Sequence, residues 1–217
     1  MTIKENDTYP IIAKEGWWFI LVSSLVSILV VFKWWHLGLL LLVVTIFLIQ
    51  FFRDPYREIP ICDSSDILSP ADGKIISIEK VLDPYRDRQS LKISIFMNIF
   101  NVHSNKIPID GKVTRINYYS GKFINASLDK ASEGNERNVV LFSTDSGFEI
   151  TLVQVAGLIA RRILCYIKEQ DIIKKGQRYG FIRFGSRVDI YLPLEFSPNV
   201  SIGDKVFGVK SVIAKLK

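Results

Sequence analysis

Cysteine and histidine are scarce in this 217-residue sequence, which has two of each. Cys62 and Cys165 are too few to build the disulfide framework of a small secreted domain, and they favour a reducing compartment. His36 and His103 are too few for the ligand sets of most zinc hydrolases. The sequence therefore excludes multi-histidine metal centres, and we expect no bound metal.

Charge is scarce near the N-terminus, where Lys33 is the only lysine, arginine, aspartate or glutamate within residues 17–52. A continuous helix over this segment would be about 54 Å long, whereas the hydrocarbon core of a bilayer is about 30 Å thick. Between Phe32 and Gly38 lie tryptophan, lysine and histidine, which favour the membrane interface. The sequence therefore predicts a membrane-associated α-helical hairpin in residues 1–52, with helices at 17–32 and 36–52.

Other interpretations of this apolar segment exist. Each predicted helix is shorter than the usual span of about 20 residues, so a shallow re-entrant hairpin is one alternative, and a hairpin buried in a soluble core is another. A secretory signal is disfavoured, because the flank before Trp17 has no positive excess and no small-residue cleavage site follows. Arg53 and Arg57 follow the segment, and they favour a placement of the rest of the chain on the cytoplasmic face of the cell membrane.

The net charge of +6 lies in residues 53–217, because basic and acidic side chains balance in residues 1–52. A basic domain beside a membrane is attracted to anionic lipid. The same charge also serves ordinary solubility. We expect the membrane as a partner and no nucleic acid.

Residues 53–217 are predicted to form one mainly β domain. Polar and apolar residues alternate with a period of two in Leu91–Met97, Lys112–Tyr118 and Arg187–Leu192. Glycine, proline, asparagine and aspartate separate such segments at intervals typical of a sandwich or barrel.

One segment of this domain recurs. Pro70-Ala-Asp-Gly-Lys-Ile is followed later by Pro108-Ile-Asp-Gly-Lys-Val, and each Asp-Gly pair is typical of a tight turn. The repetition predicts a compact barrel of duplicated hairpins. Such an arrangement resembles the barrel-sandwich hybrid fold of biotinyl and lipoyl carrier domains.

Two side chains in turns or at strand ends are candidates for acid–base chemistry. Asp72 lies in the first repeated turn, where an aspartate commonly has only a turn-forming role. His103 is the only histidine outside the apolar segment. Histidine is the usual proton shuttle near neutral pH, although a lone histidine at a strand end is more often structural.

Two further pairs of residues stand out. Arg161 and Arg162 follow an apolar run and could bind a phosphate, but on a strand they would point to opposite faces. Gly185 and Ser186 form a glycine–serine step before a predicted strand. Glycine permits a strained backbone there, and strain is one way to activate a peptide bond.

Together these segments resemble the phosphatidylserine decarboxylase proenzymes, specifically the short bacterial and archaeal type. The resemblance covers most of residues 51–193, in order. The segments that carry it are Phe51-Phe-Arg-Asp-Pro, Ser69-Pro-Ala-Asp-Gly-Lys, Phe96-Met-Asn-Ile-Phe-Asn-Val-His, Ile107-Pro-Ile-Asp-Gly-Lys-Val, Ala131-Ser-Glu-Gly-Asn-Glu-Arg, Gly157-Leu-Ile-Ala-Arg-Arg-Ile and Gly176-Gln-Arg-Tyr-Gly-Phe-Ile-Arg-Phe-Gly-Ser-Arg-Val-Asp.

The resemblance implies an enzyme that makes its own cofactor. The Ser186 hydroxyl attacks the Gly185–Ser186 peptide bond, and elimination of the resulting ester converts Ser186 into an N-terminal pyruvoyl group. The mature enzyme is then a heterodimer of chains 1–185 and 186–217, and further oligomerisation is left open. The pyruvoyl group supplies the electron sink for decarboxylating a phospholipid, phosphatidylserine, to phosphatidylethanolamine and CO₂.

The resemblance also implies that Asp72 and His103 lie near the cleavage site, with one departure. Longer family members have a second histidine, three residues after the first, where this sequence has Lys106. In the longer forms that histidine belongs to an Asp–His–Ser relay for self-cleavage. Either His103 serves both cleavage and decarboxylation, or Asp72 works without a relay. Our hypothesis is that Asp72 mainly assists cleavage, while His103 mainly provides the proton for decarboxylation.

The resemblance leaves open which arginine binds the headgroup phosphate and which lipid is the substrate. Arg161 or Arg162 is the first expectation for the phosphate, and Arg187, beside the pyruvoyl position, is the next. Archaetidylserine is an alternative substrate. A membrane-tethered, non-enzymatic carrier or adaptor is a further alternative, but the Asp-Gly-Lys turns lack the modified-lysine arrangement of carrier domains.

Overall fold

The computed structural model describes residues 10–126, 134–158, 162–183 and 185–217. The chain divides into two compact units between Arg57 and Glu58. The first unit is helical and the second is a mainly β domain, as the sequence predicts.

The helical unit consists of α1 (Lys14–Val31) and α2 (Trp35–Phe51). The predicted hairpin is confirmed, with its turn at residues 32–34. The two ends of the hairpin are joined by hydrogen bonds from the Ala13 amide to the Phe52 carbonyl and from the Asp54 amide to the Ile11 carbonyl, each 2.7 Å long.

Small and polar residues lie between the two helices, and large apolar residues lie outside. The hydroxyl oxygens of Ser23 and Thr45 are 2.7 Å apart, and a Cβ atom on Gly38 would come within 2.5 Å of the Val31 Cα. Close approach through small residues is typical of helices packed in lipid. α1 is long and apolar enough to cross a membrane, whereas α2, with 17 residues, is shorter.

The β domain contains a curled eight-stranded sheet and two three-stranded sheets. In the large sheet the strand order is β13-β2-β3-β11-β7-β6-β5-β9, and the small sheets are β4-β10-β8 and β1-β14-β12. The strands are β1 (Ile67–Leu68), β2 (Gly73–Asp83), β3 (Arg88–Met97), β4 (Ser104–Lys106), β5 (Gly111–Tyr119), β6 (Arg137–Ser143), β7 (Glu149–Ala156), β8 (Ile163–Cys165), β9 (Ile172–Ile173), β10 (Arg178–Ile182), β11 (Ser186–Leu192), β12 (Phe196–Pro198), β13 (Lys205–Val206) and β14 (Val212–Leu216).

The repeated Asp-Gly turns precede two equivalent hairpins, β2–β3 and β5–β6. Both belong to the large sheet, where they flank the central strands β11 and β7. Each hairpin begins at the glycine of the repeat and shifts register two residues later. A Cβ atom would lie 2.2 Å from the Phe96 carbonyl oxygen if added to Gly73, and 2.4 Å from the Ser143 carbonyl oxygen if added to Gly111. The duplicated-hairpin prediction is therefore confirmed, and the glycines allow the strands to approach.

β11 is the central strand of the large sheet and pairs with β3 on one side and β7 on the other. All seven of its residues are buried. Because side chains alternate along a strand, Ser186, Val188 and Ile190 face the main core, while Arg187, Asp189 and Tyr191 face the opposite side. β11 therefore fixes the register of β3 and β7, the two strands that end beside Ser186.

We expect Gly111→Ala to lower the free energy of unfolding by about 2 kcal/mol, because the added Cβ overlaps strand backbone that cannot move without disturbing the hairpin. Chemical denaturation of the full chain in detergent measures this change. Gly134→Ala is the control, since its Cβ would meet no atom of the described residues within 4 Å. Equal stabilities of the two variants would contradict the close-approach interpretation.

Candidate active site

The candidate site lies at one end of the strands of the large sheet, where β3 and β7 end and β11 begins. We call this end of the strands the site edge of the sheet. Ser186 pairs with Met97, the last residue of β3, and with Ala156, the last residue of β7. Its side chain is fully buried, and its Oγ donates a hydrogen bond of 3.3 Å to the Met97 Sδ. The predicted nucleophile is therefore held at a fixed position in the sheet.

Gly185 precedes Ser186 with a left-handed φ of +68°, a conformation that other residues adopt only with strain. A Cβ atom on Gly157 would lie 2.2 Å from the Gly185 carbonyl oxygen. Gly157, directly after β7, therefore allows this carbonyl to approach the strand. The peptide group between Gly185 and Ser186 is therefore closely packed against its neighbours. A residue with a side chain at position 185 would adopt this φ only with strain.

His103 lies beside the segment that leads to Ser186. Its carbonyl accepts a hydrogen bond of 3.3 Å from the Ile182 amide, at the end of β10. The imidazole is fully buried, and its Nδ1 is 2.9 Å from the Asn101 carbonyl oxygen. Because a carbonyl only accepts, Nδ1 carries a proton, and Nε2 is the nitrogen that gains or loses one.

Asp72 lies at the same edge of the sheet, in the turn before β2. The next residue, Gly73, starts β2 opposite the end of β3, so the backbone of β2 is about 10 Å, or two strand spacings, from that of β11. The Asp72 carboxylate is buried, and its Oδ1 accepts a 2.8 Å hydrogen bond from the Gly208 amide. The turn is also bonded to β4, because the Lys106 amide donates to the Pro70 carbonyl at 2.9 Å.

Asp72, His103, Gly185 and Ser186 are thus gathered at one edge, while Arg187 faces the other side of the sheet. The Arg187 guanidinium forms a bidentate ion pair with Asp189, with Nε–Oδ1 at 2.9 Å and Nη2–Oδ2 at 3.1 Å. Its Nη1 donates to the Ala126 carbonyl at 3.1 Å. Both charged side chains are 1% exposed. The assignment of Arg187 to the phosphate stays a prediction, and the described contacts give this arginine a structural role.

Arg161 lies outside the described residues, whereas Arg162 is exposed and its carbonyl accepts from the Arg183 amide at 3.4 Å. Arg162 lies close enough to Tyr118 to oppose the rise in its pKa. Burial and a hydrogen bond from the Tyr118 hydroxyl to Glu136 raise that pKa to about 12. The backbone carbonyl of Glu136 accepts from the Ala156 amide at 2.9 Å. An exposed cation therefore lies near the edge that holds Ser186.

Sequence reasoning assigned no role to Met97 or Gly157. Met97 lies 89 residues before Ser186, and only the β3–β11 pairing brings the two together. The signal for Gly157 was a glycine directly after a long apolar strand, a position where close backbone approach is common. Among the described residues, no group of three or more histidine, cysteine, aspartate or glutamate side chains could hold a metal ion.

A sequence model of the family described as phosphatidylserine decarboxylase matches residues 44–214. A phosphatidylserine decarboxylase proenzyme of Cupriavidus taiwanensis is 53% identical over 215 residues, covering 97% of this chain and 98% of the relative. Proenzymes with the same name from Ralstonia pickettii and Neisseria gonorrhoeae are 54% and 58% identical. They cover 97% and 96% of this chain, and 99% and 80% of the relatives.

These relatives carry the name of an enzyme precursor, so the similarity favours a decarboxylase over a non-enzymatic carrier. The matched region includes every candidate residue from Asp72 to Arg187. The family model matches most of the chain and these relatives match nearly all of it, so the chain belongs to the phosphatidylserine decarboxylase family.

Proposed function

We propose that this chain is the precursor of an enzyme that decarboxylates phosphatidylserine to phosphatidylethanolamine and CO₂. Relatives that match nearly the whole chain carry this substrate in their names. The observation that carries the proposal is the Gly185–Ser186 peptide group, with a left-handed glycine directly before a buried serine. The acid–base candidates Asp72 and His103 lie at the same edge of the sheet.

The precursor cleaves itself between Gly185 and Ser186. The Ser186 Oγ attacks the Gly185 carbonyl carbon, and the peptide bond becomes an ester as its C–N bond breaks. Elimination then releases chain 1–185 with a carboxylate at Gly185 and leaves dehydroalanine at residue 186. Addition of one water and loss of ammonia convert that residue into the pyruvoyl group. Glycine at position 185 adopts the left-handed φ without steric penalty, and the absence of a Cβ atom at Gly157 leaves room for the Gly185 carbonyl beside the end of β7. The two chains stay together because β11 remains paired with β3 and β7.

The position of residue 186 suits a residue that becomes the cofactor. It starts a strand that is hydrogen-bonded on both sides, so the group formed there would stay in place after cleavage. The pyruvoyl group that forms from Ser186 supplies the electron sink that decarboxylation of an amino acid requires. Ser186 is fully buried, so its position limits contact of this group with bulk water.

Asp72 and His103 divide the proton transfers. The Asp72 carboxylate assists cleavage as the base for the weak serine nucleophile. His103, with Nδ1 donating to the Asn101 carbonyl, delivers a proton from Nε2 to the substrate carbon that loses CO₂. Lys106, at the position of the second histidine in longer relatives, contributes its backbone to the Asp72 turn.

We expect intact-mass analysis to give two fragments, 1–185 and 186–217, with a pyruvoyl group at residue 186. Ser186→Ala and Asp72→Asn should stay single chains, and the asparagine still accepts from the Gly208 amide, so the turn is kept. His103→Asn should be cut but lose about 100-fold or more in turnover. An uncut His103→Asn chain would make His103 the cleavage base, and normal cleavage in Asp72→Asn would exclude Asp72 from that step.

Arg162 is our choice for the headgroup phosphate. It is exposed near the site edge, whereas the Arg187 guanidinium is paired with Asp189. A guanidinium binds a phosphate through two parallel hydrogen bonds, which orients the headgroup as well as binding it. Arg161 is the neighbouring alternative.

We expect Arg162→Ala to raise the KM for phosphatidylserine in mixed micelles about tenfold, with kcat changed less than twofold, because the lost contact serves binding. Lys80→Ala removes an equal, exposed charge from the far end of β2 and is the control for general attraction to anionic lipid. An equal change in KM in both variants would assign the effect to general attraction rather than to a phosphate site.

The site edge also suits a lipid substrate that stays in a membrane. Phe100 and Leu158, which follow the ends of β3 and β7, are 63% and 68% exposed. Exposed apolar side chains beside a site favour contact with lipid. Together with the apolar α1 and α2 and with Arg53 and Arg57 after them, they support a membrane-anchored enzyme whose β domain faces the cytoplasm.

We expect a membrane-impermeant maleimide to label Cys62 in inverted membrane vesicles but not in spheroplasts. Cys62 lies just after the helical unit, and burial raises the pKa of the Cys165 thiol, which slows its reaction. Cys62→Ser should therefore abolish most of the labelling. Labelling in intact spheroplasts would place the β domain outside the cytoplasm.

A further inference from the structure

A chain of buried amide side chains crosses from the large sheet to a small sheet and ends at Ser186. We call Asn138, Gln154 and Asn105 the amide chain. The Asn138 Nδ2 donates to the Gln154 Oε1 at 2.9 Å, and the Gln154 Nε2 donates to the Asn105 Oδ1 at 2.8 Å. The Asn105 Nδ2 then donates to the Met97 Sδ at 3.7 Å.

All three amides are almost fully buried, with exposures of 2% or less. Burying an amide is unfavourable unless its groups are hydrogen-bonded, so an apolar core would be the simpler way to pack these sheets. The backbone also makes room for one of them. A Cβ atom on Gly180 would come within 2.4 Å of the Gln154 Nε2. The amide chain therefore requires a glycine at position 180 and buries polar side chains where apolar ones would pack.

The orientation of the amide chain follows from its fixed acceptors. The Gln154 Nε2 lies 3.5 Å from the Leu164 carbonyl, which can only accept. The amino group of Gln154 therefore faces Asn105, whose Oδ1 must accept from it. The amino group of Asn105 is left facing Met97, and this holds the thioether in place.

The Met97 thioether receives a second donor, the Ser186 hydroxyl, at 3.3 Å. A serine side chain has three staggered rotamers, and a hydrogen bond to a fixed sulfur selects one of them. A thioether is only a weak acceptor and takes no proton. Met97 can therefore orient the Ser186 Oγ, but it cannot act as its base.

We propose that Met97, held by Asn105 and Gln154, is a positioning residue for self-cleavage at Ser186; this inference rests on the proposed function. In the step it serves, the bond from the Ser186 Oγ to the Gly185 carbonyl carbon forms and the peptide C–N bond breaks. The hydroxyl proton ends on the released Ser186 nitrogen. Met97 forms and breaks no covalent bond. It holds the nucleophile in one rotamer before the attack.

The composition of the chain allows a test at the level of a single atom. Met1 and Met97 are its only two methionines. Cell-free synthesis of the full chain into lipid nanodiscs, with norleucine in place of methionine, replaces the Met97 sulfur by a methylene group of similar shape. Selenomethionine is the matched control, because selenium keeps the shape and the acceptor.

We expect norleucine to lengthen the half-time of conversion into the two fragments about fivefold, which corresponds to about 1 kcal/mol, the net value of one hydrogen bond. Selenomethionine should leave the half-time within a factor of two. Turnover per cleaved chain should not change with norleucine, because residue 186 has lost its hydroxyl by then. Equal half-times for methionine and norleucine, or an equal loss in cleavage and turnover, would overturn the proposal.

A second pair of variants tests the amide chain. Gln154→Met removes the donor that orients Asn105 and should slow cleavage by a similar factor. Tyr179→Phe removes a fully buried hydroxyl of the same core outside the amide chain, and it should leave the cleavage rate unchanged. Equal slowing in both would make the effect one of general core packing and would overturn the proposal.

The proposed function fails in a different way from this inference. A methionine-containing chain that folds and stays intact would overturn self-cleavage, and the positioning role with it. A chain that matures normally with either methionine or norleucine would overturn only the positioning role.

Discussion

The double pairing of β11 is the constraint on which the site depends. Ser186 is hydrogen-bonded in register between the last residue of β3 and the last residue of β7. A slip of one residue would turn Ser186 to the other face of the sheet and bring Arg187 into the main core. All seven residues of β11 are buried, and six consecutive ones, from Ser186 to Tyr191, are paired on both sides, so such a slip would break many contacts at once.

The Arg187–Asp189 ion pair reinforces this register from the opposite face. It lies beside a second apolar cluster that includes Val153, Val155 and Tyr191. Burial, with a contribution from Asp189, raises the pKa of the Tyr191 hydroxyl, which keeps that group neutral. A buried ion pair adds little net stability. A one-residue slip would carry both charged side chains into the main apolar core, away from the Ala126 carbonyl that accepts from Arg187, and this would be unfavourable. The pair therefore specifies which face of β11 carries the serine.

Glycine and buried amides shape the face that carries Ser186. Gly157 admits the Gly185 carbonyl and Gly180 admits the Gln154 amide, each at a distance that a Cβ atom would forbid. The result is a peptide group confined on one side and a serine hydroxyl oriented on the other. In the proposed function, the fold acts first as the catalyst of its own cleavage. The same strand pairing then holds residue 186 for turnover of the lipid.

Much of the architecture could be predicted from local pattern. The apolar hairpin, the strands around residues 91–97, 112–118 and 187–192, and the paired Asp-Gly turns all follow from composition and periodicity. Asp72, His103 and Ser186 became candidates because a polar residue in a turn or at a strand end stands out against apolar strands, and because their segments resemble one family. These are properties of short stretches of chain, and the sequence by itself determined them.

The partners of the serine were decided only by the tertiary structure. Met97, Gln154 and Asn105 look like ordinary strand residues, and they meet only because β4 of a small sheet contacts side chains of β3 and β7 in the large sheet. Likewise, the pattern gave Arg187 as a neighbour of Ser186 in sequence, while strand alternation directs it to the other face, against Asp189. Contacts between distant segments depend on strand register and layer packing, which arise from the sum of many weak interactions along the whole chain.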